Sequence, residues 1–422
     1  MISQFTPLSK ICSNISRKFS PPKDNKVWFI NTGDVLNGKF LHNDISDWSN
    51  LPGQAKKAID ENDILYSEIR PGNGRFAFVC REHTNAVVST KFMVIKSSKG
   101  VYPRYLYHYL TSPRLQGELK SIADSRSGTF PQITFDSISH LEIRLPEMEE
   151  QKSISNFLDY LQNKLETNEK TNETLEKIAK ALFKSWFIDF DPVKAKSEGR
   201  STGLPDEISD LFPDSFEDYE LGKIPKGWST NSIYKISKVL YGAPFSSKLF
   251  NTQGKGIPLA RIRDLKTGNP GVWTEEIHPK GCLIEPGDIV VGMDGEFRTY
   301  LWGNQRCWMN QRICKFIPNE KFNNCFLRYS ISKPLYTIEI SETATTVIHL
   351  GKSDIDAFRI IYPSSEILDL FGKISKPIEQ SIIRNNQEST TLNLLRNILL
   401  PKLISGELII PDAEKMIEEL GI

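Results

Sequence analysis

Residues 149–187 carry a heptad seam long enough to decide the architecture of the chain. Ile154, Leu158, Leu161, Leu165, Leu175, Ala179, Leu182 and Trp186 recur at alternating steps of four and three, the spacing that keeps one apolar stripe of a helix turned toward a partner helix. Asn168 and Asn172 occupy the middle of the same seam. No Pro or Gly interrupts it, and Glu147, Glu149 and Glu150 place negative charge near the end where the helix dipole favours it. Such a helix is about 60 Å long at 1.5 Å rise per residue, too long for the interior of one compact domain. A stripe this narrow must bury itself against another helix.

Residues 366–404 supply the partner. When Asn168 is laid on Asn385, Ile154 falls on Phe371, Leu161 on Ile378, Leu165 on Ile382, Leu175 on Leu392, Leu182 on Leu399, Trp186 on Leu403 and Asn172 on Ser389. A heptad alone is compatible with a helical hairpin inside one domain. Two copies of one pattern, each following a long stretch of other sequence, predict an internally duplicated chain. Pro377 stands where the first copy has Tyr160, so the second helix is expected to kink or restart there.

A chain of 422 residues holds two or three domains and can bury full cores. No apolar run approaches a membrane span, and residues 1–10 lack the basic-then-apolar build of a signal peptide. The expectation is a cytoplasmic protein without a membrane partner. Cys12, Cys80, Cys282, Cys307, Cys314 and Cys325 include no CxxC pair, so reduced thiols are expected, and the six scattered histidines suggest no metal. The net charge of +1 neither announces nor excludes a nucleic-acid partner.

Residues 1–146 read as a first globular unit. Within it, 27–35 looks like one strand, 53–59 like a short helix or turn, and 63–70 with 75–80 like a hairpin around Pro71-Gly72-Asn73-Gly74. A strand over 86–95, a helix over 103–112 and a loop over 124–131 follow. The long helix takes 147–188, and 189–228 is a connector rich in Pro, Gly and acidic residues from Asp206 to Glu220. The bland reading of that connector is a solvated linker, but Phe187, Phe190, Phe212, Phe216 and Tyr219 suggest that part of it packs. A second unit, 229–363, echoes the first: Ile233–Ile236 answers Leu8–Ile11, 261–265 answers 31–35, 286–290 answers 62–65 and 351–363 answers 130–146. The second long helix covers 364–406 and a tail 407–422. The fold class predicted is α+β, with two similar globular α/β units separated by two long antiparallel helices in a pseudo-two-fold repeat.

Four segments make the pattern recognisable: 145–154, the FxDFDPVKAKxEGR run within 181–200, the KIPKGW run within 221–228, and the LPKLISGEL run within 399–408. Together with the alternation of globular units and long helices, they resemble the specificity subunits of type I restriction-modification systems over essentially the whole chain. The resemblance implies that each globular unit is a target-recognition domain reading one half of a split sequence in double-stranded DNA. It implies that the helices act as spacer and dock two methyltransferase subunits, which direct adenine-N6 methylation with S-adenosylmethionine, and that motor-nuclease subunits join for restriction. It also implies no chemistry and no cofactor in the chain itself, with S-adenosylmethionine, ATP and Mg belonging to partner subunits. The residues agree. There is no Asn/Asp-Pro-Pro-Tyr/Phe motif, no glycine-rich cofactor loop after a strand, and no Walker sequence. Asp288, Asp294 and Glu296 lack the following lysine that a nuclease metal site would need.

Base reading in the major groove calls for Arg, Asn or Gln on rigidly held loops. The candidates are Arg70, Asn73 and Arg75 in the first unit, with Lys91 and Arg126 as phosphate contacts, and Arg261, Arg263, Arg298, Asn304, Gln305 and Arg306 in the second. Antiparallel pairing about the seam centres sets Asn172 against Asn385 and Asn168 against Ser389, a polar layer that can fix register. Trp186, Phe187 and Phe190, with the exposed helix faces, are the expected methyltransferase docks. Two other readings remain: a recognition subunit of a type II-like combined nuclease-methyltransferase, and a coiled-coil scaffold that binds only proteins.

Overall fold

The computed structural model describes residues 4–126, 131–219, 222–341 and 348–419. The chain divides into two compact units, residues 1–165 with 392–422 and residues 166–391. Each long helix therefore contributes one segment to each unit.

In the first unit Gln4–Pro7 pairs antiparallel with Glu142–Leu145, and a single helical turn, Leu8–Ile11, leads into two sheets. One sheet runs Phe76–Phe78, Ile64–Ser67, Phe92–Ser97, Cys12–Asn14; the other runs Arg17–Lys18, Ala55–Ala58, Ala86–Ser89, Lys26–Ile30, Ile45–Asp47. Ile64–Ser67 and Ala86–Ser89 are buried at every position, as central strands covered on both faces should be. The second unit repeats this plan. Ser229–Ser232 pairs with Arg359–Tyr362, Ile233–Ile236 is the single turn, and a four-stranded sheet runs Thr299–Leu301, Ile289–Gly292, Ile313–Pro318, Ser237–Tyr241. Each five-stranded sheet has a parallel pair at the same place, Lys26–Ile30 with Ala86–Ser89 and Ile257–Ala260 with Cys307–Met309. The chain is thus an α+β protein with an internal structural repeat.

Both heptad stretches are helices, Met148–Phe187 and Ser365–Ser405. In the second unit Asn168 meets Ser389 while Trp186 lies against Phe371, so the two segments run antiparallel. They are fused to the sheets rather than free of them. Ile154, Leu158 and Leu161 share one core with Leu392, Leu399 and Leu403 and with Leu8, Met93, Tyr105 and Leu119. Each such side chain removed from water is worth about 1.5–3 kcal/mol. Gln151, only 1% exposed, ties the start of the first helix to its sheet: its amide accepts from Tyr102 N at 2.8 Å and donates to Pro146 O at 2.8 Å and Gly100 O at 3.2 Å. Phe183, Trp186 and Phe187 pack with Phe326 and Phe371 in the core of the second unit.

That second core also encloses charge. Arg328 Nη1 donates to Glu176 Oε1 at 2.7 Å and Tyr329 OH to Oε2 at 2.8 Å. Glu379 is 8% exposed and accepts from Asn324 Nδ2 at 2.7 Å and the Cys325 thiol at 3.4 Å. Among the described residues no cation is bonded to it, and burial pushes its carboxyl above the ordinary value despite the nearby Arg328.

Several sequence expectations are corrected. Ser365–Ser405 is one uninterrupted helix, so Pro377 does not restart it. Residues 27–35 break into the strand Lys26–Ile30, a 3-10 turn at Thr32–Asp34 and a short strand, because Asn31 and Asp34 cap the turn reciprocally. Ala55–Ala58 is a strand and not a helix or turn. Residues 124–126 of the predicted loop are the last turn of a helix, Pro113–Arg126, and residues 127–130 lie outside the described residues. The connector is folded. Val193 and Phe212 are buried, Lys196 Nζ donates to Phe212 O at 2.6 Å and Ser209 O at 3.1 Å, and Phe216–Tyr219 pairs with Gly222–Pro225. Glu220, Leu221 and Phe130 lie outside the described residues.

Candidate nucleic-acid interface

The repeat brings the same three backbone segments together in each unit. In the first, Glu68 N donates to Lys91 O at 2.9 Å, Ile133 N to Glu68 O at 2.9 Å and Arg70 N to Pro131 O at 2.9 Å. In the second, Met293 N donates to Arg312 O at 2.9 Å, Leu350 N to Met293 O at 2.8 Å and Gly295 N to Ile348 O at 3.0 Å. Isolated bridges Ile69–Gln132 and Asp294–His349 complete the two frames. Position by position, Ile69, Lys91 and Gln132 correspond to Asp294, Arg312 and His349. The frame also explains an unusual backbone: Arg70 has φ +48°, in the left-handed region, where the second copy uses Gly295 at φ +77°.

In the first unit this frame continues into the predicted hairpin turn. Arg70, Asn73 and Lys91 are exposed there, and none of their side chains has a hydrogen-bond or ion-pair partner among the described residues. Lys57 lies close by, its Nζ donating to Phe92 O at 2.6 Å; burial holds its ammonium below the ordinary value, with Glu68 opposing and Lys91 reinforcing the shift. Arg75 is placed differently, since its Nη1 donates to Gly33 O and Val35 O at 2.8 Å each and so closes the turn from beneath. Gly74 is required there, because a Cβ would sit 2.1 Å from Asn37 Oδ1. Arg126 ends the helix Pro113–Arg126, and its side chain lies outside the described residues.

The second-unit candidates fall in three places. Arg298 flanks the frame and forms a two-pronged pair with Glu339, Nη2 to Oε1 at 2.9 Å. Arg261 and Arg263 sit on a 3-10 turn, where Arg261 binds Asp264 while Arg263 is exposed and unpaired among the described residues. Asn304 is removed from the accessible set: it is 8% exposed, its Nδ2 donates to Gly268 O at 2.8 Å, and its Oδ1 accepts from Thr390. Beside it Gln305 is exposed, and Arg306 pairs with Glu285 at 2.9 Å. Sequence reasoning missed Arg312, His349 and Gln132. Nothing local marks them, and they meet only through strand register.

On the helices, Asn385 Nδ2 donates to Asn172 Oδ1 at 2.8 Å and Asn172 Nδ2 to Asn386 Oδ1 at 2.9 Å. Asn168 Nδ2 lies 2.7 Å from Glu388 Oε2 and 3.3 Å from Ser389 Oγ. Trp186 and Phe187 are each 2% exposed and Phe190 is 9% exposed, so these aromatics form internal core and not an outward surface. The exposed apolar side chains of the pair are instead Tyr160, Leu394 and Ile398 in the first unit and Ile178 and Ile374 in the second.

Cys80, Glu82 and His83 bring three potential metal-binding atoms together. His83 Nδ1 already accepts from Cys80 N at 3.0 Å, and burial pushes the thiol up, away from the thiolate a metal would need. The arrangement caps a turn. No helix among the described residues is long and apolar enough to cross a membrane.

Comparison with known proteins agrees with this architecture. The family described as type I restriction modification DNA specificity domain matches residues 7–177 and 225–393. The type I restriction enzyme HindI specificity subunit of Haemophilus influenzae is 36% identical over 95% of this chain and 98% of its own length. The MjaIX specificity subunit of Methanocaldococcus jannaschii is 30% identical over 75% and 72%. In fold, the chain is similar to the crystal structure of a type I restriction-modification S subunit from M. genitalium, with a TM-score of 0.53 at 15% identity over 95% of this chain and 96% of that one.

Proposed function

The chain belongs to the family of type I restriction-modification specificity subunits, and from that premise we propose that it is a non-catalytic reader in which each repeat recognises one half of an asymmetric, two-part DNA target. The observation that carries this reading is the pair of backbone frames: one set of hydrogen bonds, two different sets of exposed side chains. A scaffold kept constant while its outward chemistry varies suits two readers of unlike sequences. Arg70, Asn73, Lys91, Arg263 and Gln305, whose side chains are unpaired among the described residues, are the groups for the duplex, Lys91 acting on phosphate and the others on base edges.

The helices would set the spacing between the half-sites, with the Asn168–Asn172 layer fixing their register. Tyr160, Leu394 and Ile398, with Ile178 and Ile374, offer apolar surface on both segments of the pair, which suits docking of one methyltransferase subunit per repeat. Those subunits would supply S-adenosylmethionine-dependent adenine-N6 methylation, and motor-nuclease subunits the ATP- and Mg-dependent restriction, with the complex working in the cytoplasm. Mapping N6-methyladenine across the genome with and without the gene tests the proposal. Loss of one motif, two defined parts around an undefined spacer, is expected; an unchanged methylation map would refute it.

A further inference from the structure

The second frame holds a side-chain cluster that the sequence did not reveal. Asp294 Oδ2 lies 3.4 Å from Arg312 Nε, and Oδ1 lies 3.5 Å from Nη1 and 2.8 Å from His349 Nδ1. Arg312 is half exposed and His349 nearly so, while Asp294 is more enclosed. Nη1 also lies 3.3 Å from His349 Nδ1, so the carboxylate and the imidazole together hold the guanidinium at Nε and Nη1, and Nη2 has no partner among the described residues. A guanidinium fixed on one edge presents its other edge in a set plane, as two parallel hydrogen bonds to one base require.

We propose that Arg312 is a specificity-determining residue of the second repeat, reading a guanine through O6 and N7, with Asp294 as its positioning residue. The inference rests on the DNA-recognition reading above and goes further by naming the base. Three observations converge on it. The cluster sits on the frame shared by both repeats, so its backbone placement is not an accident of one loop. The equivalent positions are Ile69, Lys91 and Gln132, so the chemistry changes where the scaffold does not, as half-sites of different sequence demand. Phosphate is the weaker alternative for Arg312, because Asp294 offsets its charge and a carboxylate repels the DNA backbone. Lys91, which has no carboxylate bonded to it among the described residues, is the better phosphate contact of the two. Arg to the guanine O6/N7 edge is the pairing that fits a fixed guanidinium fork.

The test uses the chain assembled with its methyltransferase partners, comparing wild type with Arg312→Ala, Arg312→Lys and Asp294→Asn by methylome mapping and by binding at two salt concentrations. In wild type the second half-site should contain a required G·C pair that becomes degenerate in Arg312→Ala, with the first half-site unchanged as an internal control for folding. Cognate affinity should fall roughly 5- to 150-fold, while non-specific binding and its salt dependence stay as they were. Arg312→Lys keeps the charge but not the fork and should resemble Ala. Asp294→Asn should relax the same position partially, which a purely structural role would not do.

An unchanged motif with uniform loss of affinity and a shallower salt dependence, rescued by Lys, would make Arg312 a phosphate contact and overturn the proposal. So would a wild-type second half-site lacking a G·C pair, or no effect of any variant. A wild-type complex that marks no two-part target at all would instead refute the reading on which this inference stands.

Discussion

Replacing Asn172 by Ala tests the helix pairing through a side chain that binds two asparagines of the opposing helix. Its amide accepts from Asn385 Nδ2 at 2.8 Å and donates to Asn386 Oδ1 at 2.9 Å. A neutral hydrogen bond in a half-buried place contributes about 1 kcal/mol net, so Asn172→Ala should cost about 2 kcal/mol. Asn385→Ala removes one of these bonds and should cost about 1 kcal/mol. The double variant loses that shared bond only once, so its cost should stay near 2 kcal/mol, a coupling of about 1 kcal/mol. Urea denaturation followed by tryptophan fluorescence reads this directly, since Trp186 and Trp228 lie in the core of the same unit. Effects that add to within about 0.3 kcal/mol would mean that the two asparagines do not meet in solution, and the register argument would fail. Asn172→Leu with Asn385→Leu sharpens the point: an apolar pair at this layer should be near neutral in stability yet let the methylated motif tolerate more than one spacer length.

Other perturbations address single links. Arg70→Gly should stabilise the first unit by roughly 0.5–1 kcal/mol, because φ +48° strains any side chain, while weakening cognate DNA binding; thermal unfolding and binding measured together separate the two effects. Glu379 has a raised carboxyl pKa in the folded state, so the native form holds its proton more tightly than the unfolded form. Stability is then greatest below the unfolded value and is lost as pH rises through the folded one. Glu379→Gln should therefore flatten the decline in stability on the alkaline side of pH 4.5, with a gain at neutral pH on the order of 1 kcal/mol and little change in acid. Glu176→Ala strands the buried Arg328 guanidinium and should cost about 3 kcal/mol or more, whereas Glu176→Gln keeps hydrogen-bond partners and should cost less.

The long helices were legible because a heptad is a local signal repeated many times, and the duplication because the two seams superpose residue for residue. The sheets were harder. Short strands such as Ala55–Ala58 and Leu283–Ile284 take their identity from partners far along the chain, which propensity alone does not see. Residues 189–228 carry the composition of a linker, and only the contacts of Lys196, Phe212 and Trp228 fold them onto the helix end. The same aromatics misled the docking expectation, since Trp186 at a helix terminus looks like an exposed anchor and is in fact core. Of the proposed reading positions, Arg70 and Asn73 were visible as a polar turn. Arg312 was not, because Asp294 and His349 become its neighbours only through the bridge between two distant segments.

The central claim, one reader per half-site on a fixed spacer, is tested most directly by exchanging residues 229–363 for the corresponding stretch of a relative with a known target and mapping methylated adenines. The account predicts a hybrid motif in which the first half and the spacer length are retained and only the second half changes. A motif altered in both halves, or one altered in spacing alone, would contradict it.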